Sequence, residues 1–296
     1  MILTRVYPNE LLHTQANGRH SITKPPLQTL PPSLERLYRP DAGRCWVSFD
    51  WSGVETWLIM ARSRSRFLRR AFDEGLDIHT FTVGSVYQAA GLDFPRPPNE
   101  KNPHTSPECA DWRERVKWEG KDDRRRAFCK SGRYEVYYSG GTASNAIVRA
   151  ARMGLPQEAV KILPHVIMRD DPDYASWVRR IKLDVMRTKG RYYEMRSFMG
   201  RRRRIMHSEG FAAVREALNV PQADVADMAN VTAIGIKRAC PWLNWAWGKH
   251  DSQYWDCPVE RADEALAEIE PIVEQEWNVF GYKISFPASY KVISGT

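Results

Sequence analysis

The sequence predicts an α+β fold, an antiparallel sheet with helices segregated from it. Three observations lead there. Cys45 to Asp50 alternates apolar and small residues and reads as a strand. A long stretch of helical periodicity follows it. Two hairpin patterns then alternate with helices toward the C-terminus, so the order is strand, helical region, hairpin, helix, hairpin.

Residues 1–40, rich in Pro and polar side chains, read as mostly irregular. After the strand, Val54 to Phe72 reads as one helix, with Val54, Trp57, Leu58, Met60 and Ala61 on one side. A second helix is expected over Thr80 to Ala90. The Pro-rich, polar stretch 91–118 reads as an inserted loop. Helical patterns resume at 121–138, 142–153, 156–167 and 172–188. Tyr192 to Phe198 and Arg201 to Ile205 form a hairpin pattern with a basic turn, and Phe211 to Cys240 is mainly helical. Trp242 to Trp247 and Gln253 to Cys257 form a second hairpin with His250-Asp251 at its tip. Arg261 to Trp277 reads as a periodic helix, and two short strands close the chain. Trp242, Trp245, Trp247 and Trp255 read as packed strand residues, because aromatics mostly pack.

Composition bounds the function. The 296 residues carry 43% hydrophobic and 27% charged residues, ordinary values for a globular protein, and a net charge of +8 that favours a polyanionic partner. No apolar run is long enough to span a bilayer and the N-terminus shows no signal-peptide pattern, so the reading is a soluble, cytoplasmic protein without a membrane partner. The five cysteines have no zinc-ligand spacing and read as free thiols.

The chemistry centres on Asp50 and Asp251, each following a strand-like run. Two carboxylates on neighbouring strand ends can hold two Mg²⁺ ions, with Mn²⁺ as a substitute. Read alone, Asp50 fits equally well as the cap of the following helix and Asp251 as a turn residue. Arg126, Lys130, Tyr134 and Tyr138 recur every four residues, a spacing that drifts by only ~40° per step and so makes one slowly turning helix face. Arg and Lys can bind triphosphate oxygens, and the tyrosines offer flat faces for a sugar and a base. The bland alternative is a solvated basic face running into an aromatic stripe. Glu55 lies one turn beyond Asp50, and Gly200-Arg201-Arg202-Arg203-Arg204 is a basic turn suited to a phosphate backbone. Carboxylates and a cationic, aromatic helix together suggest a template-directed nucleotidyl transferase.

The ordered set of motifs resembles the family A DNA polymerases, the bacterial DNA polymerase I type. Asp50-Trp51-Ser52-Gly53-Val54-Glu55 is similar to the family's first motif, and Gly75-Leu76-Asp77-Ile78-His79-Thr80 to a segment of its fingers. Arg126, Lys130, Tyr134 and Tyr138 resemble its second motif, and His250-Asp251-Ser252 its third. Asn17-Gly18-Arg19 with Leu27-Gln28 resembles the primer-contacting segment. Phe198-Met199-Gly200-Arg201-Arg202 resembles a Gly-Arg-Arg turn, and Arg215-x3-Asn219-x-Pro221 the helix before the third motif.

The resemblance implies a right-hand palm over 1–60 and 199–296 and mostly helical fingers over 61–198, with the polar insertion near 91–118. It implies a two-metal, primer-extending enzyme for DNA replication. Asp50, Asp251 and the Trp51 carbonyl would be metal ligands, and Arg126, Lys130 and His79 would hold triphosphate. Tyr134 and Tyr138 would line the nucleotide pocket, and Glu55 would exclude a ribose 2′-hydroxyl. Arg19, Gln28, Arg201, Arg215, Asn219 and His250 would touch primer or template. The implied partners are primer-template DNA and dNTPs. The resemblance covers palm and fingers only: the preferred reading is a split polymerase whose second protein chain supplies the thumb and 3′–5′ exonuclease, with a thumbless enzyme or a processed or engineered fragment as the alternatives. A bacterial host or a phage would encode it.

Four positions depart from the pattern. Ser252 replaces a glutamate, and Ala223 stands where a glutamine is expected, with Gln222 one residue early. Ser139 replaces a glycine. Tyr134 takes the Tyr option of a Phe/Tyr position, implying weak discrimination against 3′-deoxy nucleotides. His250-Asp251-Ser252 also resembles the third motif of phage-type single-subunit RNA polymerases, but those have a small residue where Glu55 stands. A non-catalytic DNA-binding replication subunit is the other alternative.

Overall fold

The computed structural model describes residues 9–11, 19, 21–23, 27–29, 37–188, 191–206 and 210–295. The sequence expectations on Asn17 and Gly18 lie outside them. Two compact units are present, one made of 1–58, 195–203 and 220–296, the other of 59–194 and 204–219.

The first unit is built on a four-stranded antiparallel sheet in the order β10-β3-β7-β6. These strands are β3 (Arg44–Trp51), β6 (Asn244–Lys249), β7 (Ser252–Pro258) and β10 (Ala288–Ser294). Two further strands, β1 (Asn9–Leu11) and β2 (Ser21–Thr23), pair antiparallel. Cys45 to Phe49 are all buried, as a central strand covered on both faces requires. Pleating sends Cys45, Val47, Phe49 and Trp51 to one face and Trp46, Ser48 and Asp50 to the other. Helix α11 (Ala262–Val273) covers the first face, where the buried Trp51 indole donates to the Val273 carbonyl at 3.2 Å. On the other face Trp46 packs with Ile22, Leu27, Tyr38 and Trp247.

A bulge in β6 decides which face its end residues serve. Trp245 pairs with Trp255, yet Trp247 pairs with Tyr254, so one extra residue lies between them. That residue flips the remainder of the strand. Trp247 then stacks on Tyr254 at 4.0 Å, and Lys249 pairs with Ser252 on the face that carries Asp50.

The second unit is helical. Its elements include α1 (Val54–Ser63, which begins in the first unit), α2 (Arg66–Glu74), α3 (Ile78–Ala89), α4 (Ala110–Val116) and α5 (Arg124–Ser139). They continue with α6 (Ser144–Arg152), α7 (Gln157–Asp170), α8 (Pro172–Arg187) and α9 (Gly210–Leu218). Helix α10 (Val220–Ala239) belongs to the first unit. The hairpin β4 (Tyr192–Arg196) and β5 (Arg202–Met206) falls where a hairpin was expected. Among the described residues no helix is long and apolar enough to cross a membrane, and the five cysteines are free and buried.

Four local expectations need correction. The single helix over Val54 to Phe72 is two helices. Arg64 takes a left-handed φ of 56°, and Ser65 caps α2 by accepting from the Leu68 N–H at 2.9 Å. The helix expected to reach Trp277 ends at Val273, and Trp277 instead enters β8 (Glu276–Val279), paired with β9 (Tyr282–Ser285). Three strands rather than two therefore close the chain, because strand pairing overrides local helical periodicity. Trp242 lies just before β6, not within it, and carries the Arg261 guanidinium 3.6 Å over its ring. The stretch 91–118 is not a plain loop. Phe94, Trp112 and Trp118 form a small buried core there, and the Trp112 indole donates to the Pro95 carbonyl at 2.7 Å.

Candidate active site

Asp50 stands next to the end of β3, in register with Ser252 on one neighbour and Ser289 on the other. Asp251 is the second residue of the two-residue turn that joins β6 to β7. His250, the first, has a φ of 57°, a left-handed conformation that histidine adopts more readily than most side chains. The Ser252 hydroxyl donates to the Lys249 carbonyl at 2.7 Å and closes the turn. Strand pairing thus carries Asp251 to the Asp50 end of β3. Both line an open cavity of about 230 Å³ with Ser48, Lys249, Ser289 and Lys291.

Asp50 is exposed and Asp251 half-buried. Burial first, and the charge of Asp50 second, push the Asp251 carboxyl up to about 7. Two carboxylates of which one raises the pKa of the other in this way are a pair that a divalent cation would ease by its charge. Among the described residues no group of three or more His, Cys, Asp and Glu side chains gathers. A cation at this pair would complete its shell from carbonyls, water or a bound phosphate, the habit of Mg²⁺. The Trp51 ring is core, so its carbonyl alone suits the ligand role expected of it.

Glu55, in the first turn of α1, pairs with Arg19, and both side chains are largely buried. Arg19, Gln28 and His250 line a second cavity, of about 110 Å³, with Asn230, Gly248 and Gln253. The Gln28 amide donates to the Gly248 carbonyl at 3.1 Å, tying Gln28 to β6. Burial and then the Arg19 charge lower the pKa of His250. Arg201 is docked on α10: its Nε donates to Asp227 Oδ1 at 2.6 Å and its Nη2 to the Ala223 carbonyl at 3.1 Å.

The remaining expected residues fall in the second unit. Helix α5 starts at the Asp123 cap, whose carboxylate accepts from the Arg125 N–H at 2.9 Å, and ends at Gly140, with φ 75°. Phe128, Cys129, Gly132, Arg133, Val136 and Tyr137 are buried, leaving Arg126, Lys130, Tyr134 and Tyr138 on the opposite, partly exposed face. Tyr134 and Tyr138 stack with ring centroids 6.4 Å apart, and His79 lies 6.2 Å from Tyr134. Burial first, and then the Arg133 charge, hold the His79 imidazole down at about 3, so it is neutral at pH 7. Arg215 is exposed on α9, and the Asn219 amide donates to its carbonyl at 2.6 Å.

The first unit therefore carries Asp50, Trp51, Asp251, Glu55, Arg19, Gln28, His250 and Arg201. The second carries His79, Arg126, Lys130, Tyr134, Tyr138, Arg215 and Asn219. Sequence reasoning assigned nothing to Asp77, although an Asp before a helix is a capping signal. Its carboxylate accepts from the His79 and Thr80 N–H groups at 3.0 and 3.2 Å and from Arg126 Nε at 2.9 Å. Lys249 and Lys291 beside the aspartates were also missed, since their placement depends on strand register.

No family profile matches the chain. The thermostable DNA polymerase I of Thermus filiformis is 25% identical over 287 residues, 90% of this chain and 30% of that protein. The DNA polymerase of Mycobacterium phage D29 is 25% identical over 264 residues, 88% of this chain and 37% of that protein. The POL domain of Pol1 from M. smegmatis, solved in complex with DNA primer-template and dNTP, superposes with a TM-score of 0.70 at 21% identity. It covers 98% of this chain and 47% of that one. The chain thus spans about a third of the length of the two polymerases and just under half of the solved chain. Over nearly all of its own length the chain is similar to DNA polymerases of the DNA polymerase I type, and it shares the α+β fold of the M. smegmatis POL domain.

Proposed function

We propose that the chain is the palm-and-fingers part of a template-directed DNA polymerase that extends a primer 3′-end with dNTPs. The observation that carries this reading is the Asp50–Asp251 pair at one sheet end, with the charge of Asp50 felt at Asp251. In this reading Asp50, Asp251 and the Trp51 carbonyl hold the divalent cations. Bound there, two such ions would lower the pKa of the primer hydroxyl and stabilise the leaving pyrophosphate.

The side chains bind and orient. Arg126 and Lys130 hold the triphosphate, Arg as a planar fork and Lys as a point charge, with neutral His79 as a further partner. Tyr134 and Tyr138 present stacked faces to base and sugar. Glu55, fixed by Arg19, blocks a 2′-hydroxyl. Gln28, His250, Arg201, Arg215 and Asn219 contact primer or template, and the +8 net charge supports a nucleic-acid partner. A second chain supplying a thumb and an exonuclease is part of the proposal. Sequence-independent phosphate contacts of a thumb raise duplex affinity, so added partner should lengthen products.

Primer extension tests the reading, with Mg²⁺ and dNTPs, with rNTPs in parallel, and with Asp251→Asn as control. Templated products from dNTPs alone, lost in the variant, support it. Undiminished synthesis by Asp251→Asn refutes the metal assignment, and efficient rNTP use points to the RNA polymerase alternative.

A further inference from the structure

The stretch 91–118 does more than fill a surface. Its His104, with a side chain 7% exposed, lies against Asp77, with Nε2 2.6 Å from Asp77 Oδ2. The Trp118 indole N–H donates to His104 Nδ1 at 3.1 Å, and the two ring planes lie within 14° of each other. Indole nitrogen only donates, so Nδ1 is the accepting, unprotonated nitrogen. The proton of the neutral ring therefore sits on Nε2 and is donated to Asp77. The same Oδ2 accepts Arg126 Nε at 2.9 Å, and Oδ1 accepts Arg126 Nη2 at 3.4 Å. Arg126 Nη1 donates to the Lys121 carbonyl at 3.2 Å, and the Asp77 N–H donates to the Glu100 carbonyl at 3.1 Å.

Among the described residues, these bonds engage three of the five guanidinium N–H groups and fix the plane of the fork. Two are left for an anion. Asp77 is itself fixed at the N-terminus of α3 by the His79 and Thr80 N–H groups. A carboxylate shared between Arg126 and a neutral donor pulls less on the arginine than one held by arginine alone.

We propose that His104 is a positioning residue which, through Asp77, sets the orientation of Arg126 toward the triphosphate of an incoming nucleotide. Residues 91–122 are then a clasp around the fingers helix. This inference rests on the triphosphate role proposed above for Arg126.

The test uses the whole chain with primer-template and Mg·dATP. His104→Leu should raise KM for dATP about ten-fold, with kcat and primer-template affinity little changed. His104→Gln, which keeps an N–H donor, should restore KM to within about three-fold. Asp77→Asn keeps a capping oxygen while weakening both partners, and should raise KM at least as much as His104→Leu. The double variant should be no worse than Asp77→Asn alone, because both act along one path. An unchanged KM in folded His104→Leu, a Gln variant as impaired as Leu, or effects of Asp77→Asn and His104→Leu that multiply would overturn the proposal. Should His104→Leu not fold, the cycle run with His104→Ala and Asp77→Asn decides in the same way. If wild type neither extends a primer nor binds dATP in a direct titration, the polymerase reading itself fails. If it does both and the variants match it, only the clasp fails.

Discussion

Removing the charge of Asp251 should stabilise the metal-free protein. The raised carboxyl means that the folded chain holds a proton there more tightly than the unfolded chain does. No penalty exists below the unfolded value of 3.8; it accumulates as pH rises and is complete above about 7. At roughly 1.4 kcal/mol per pH unit, that interval sets a ceiling of about 4 kcal/mol. Water reaching the half-buried group screens part of it, leaving about 2 kcal/mol, or about 4–8 °C in melting temperature. In EDTA, Asp251→Asn should therefore melt above wild type at pH 8, with the gap at pH 4.5 shrunk to about a quarter of that. Millimolar Mg²⁺ should close the gap by stabilising wild type alone. Hydrogen exchange in β3 and β7 reads the same change locally. A gap that does not grow with pH, or a variant less stable than wild type at pH 8 in EDTA, would refute the argument that the two carboxylates repel.

Three further outcomes are expected. The second unit should weaken as pH falls from 6.5 toward 3, because His79 is held neutral at about 3 and Asp77 is held ionised by Arg126 and His104, so the unfolded state takes up more protons. His79→Phe should flatten that slope by up to about 1.4 kcal/mol per pH unit, as measured by denaturant titration at several pH values. Gly140→Ala should cost about 1–3 kcal/mol in the same titration, since φ is 75° and the new Cβ would lie 2.8 Å from Leu218 Cδ1. Under the polymerase reading, Glu55→Ala should raise rNTP incorporation about 100-fold or more relative to dNTPs in single-nucleotide extension assays.

Local chemistry made much of this protein legible. The alternation of Cys45 to Asp50, the hairpin tip at His250-Asp251 and the four-residue spacing along α5 each depend on residues close in the chain. They foretold an antiparallel sheet with a carboxylate near each of two strand ends, and a helix with one cationic, aromatic face. Even the break between α1 and α2 had a local signal in Ser65, overlooked because the apolar pattern ran through it. What only the tertiary structure decided depends on partners distant in sequence. Burial raised the Asp251 carboxyl, and register, by placing Ser252 beside Asp50, added the Asp50 charge to it. The β6 bulge selected the face for Lys249. Burial turned Phe94, Trp112 and Trp118 from residues of a polar loop into a core. That core seats His104 on Asp77, 27 residues away in sequence, and Asp77 lies 49 from Arg126. No window of sequence holds such a network, because closing chain over those distances is favourable only once the helices around it have packed.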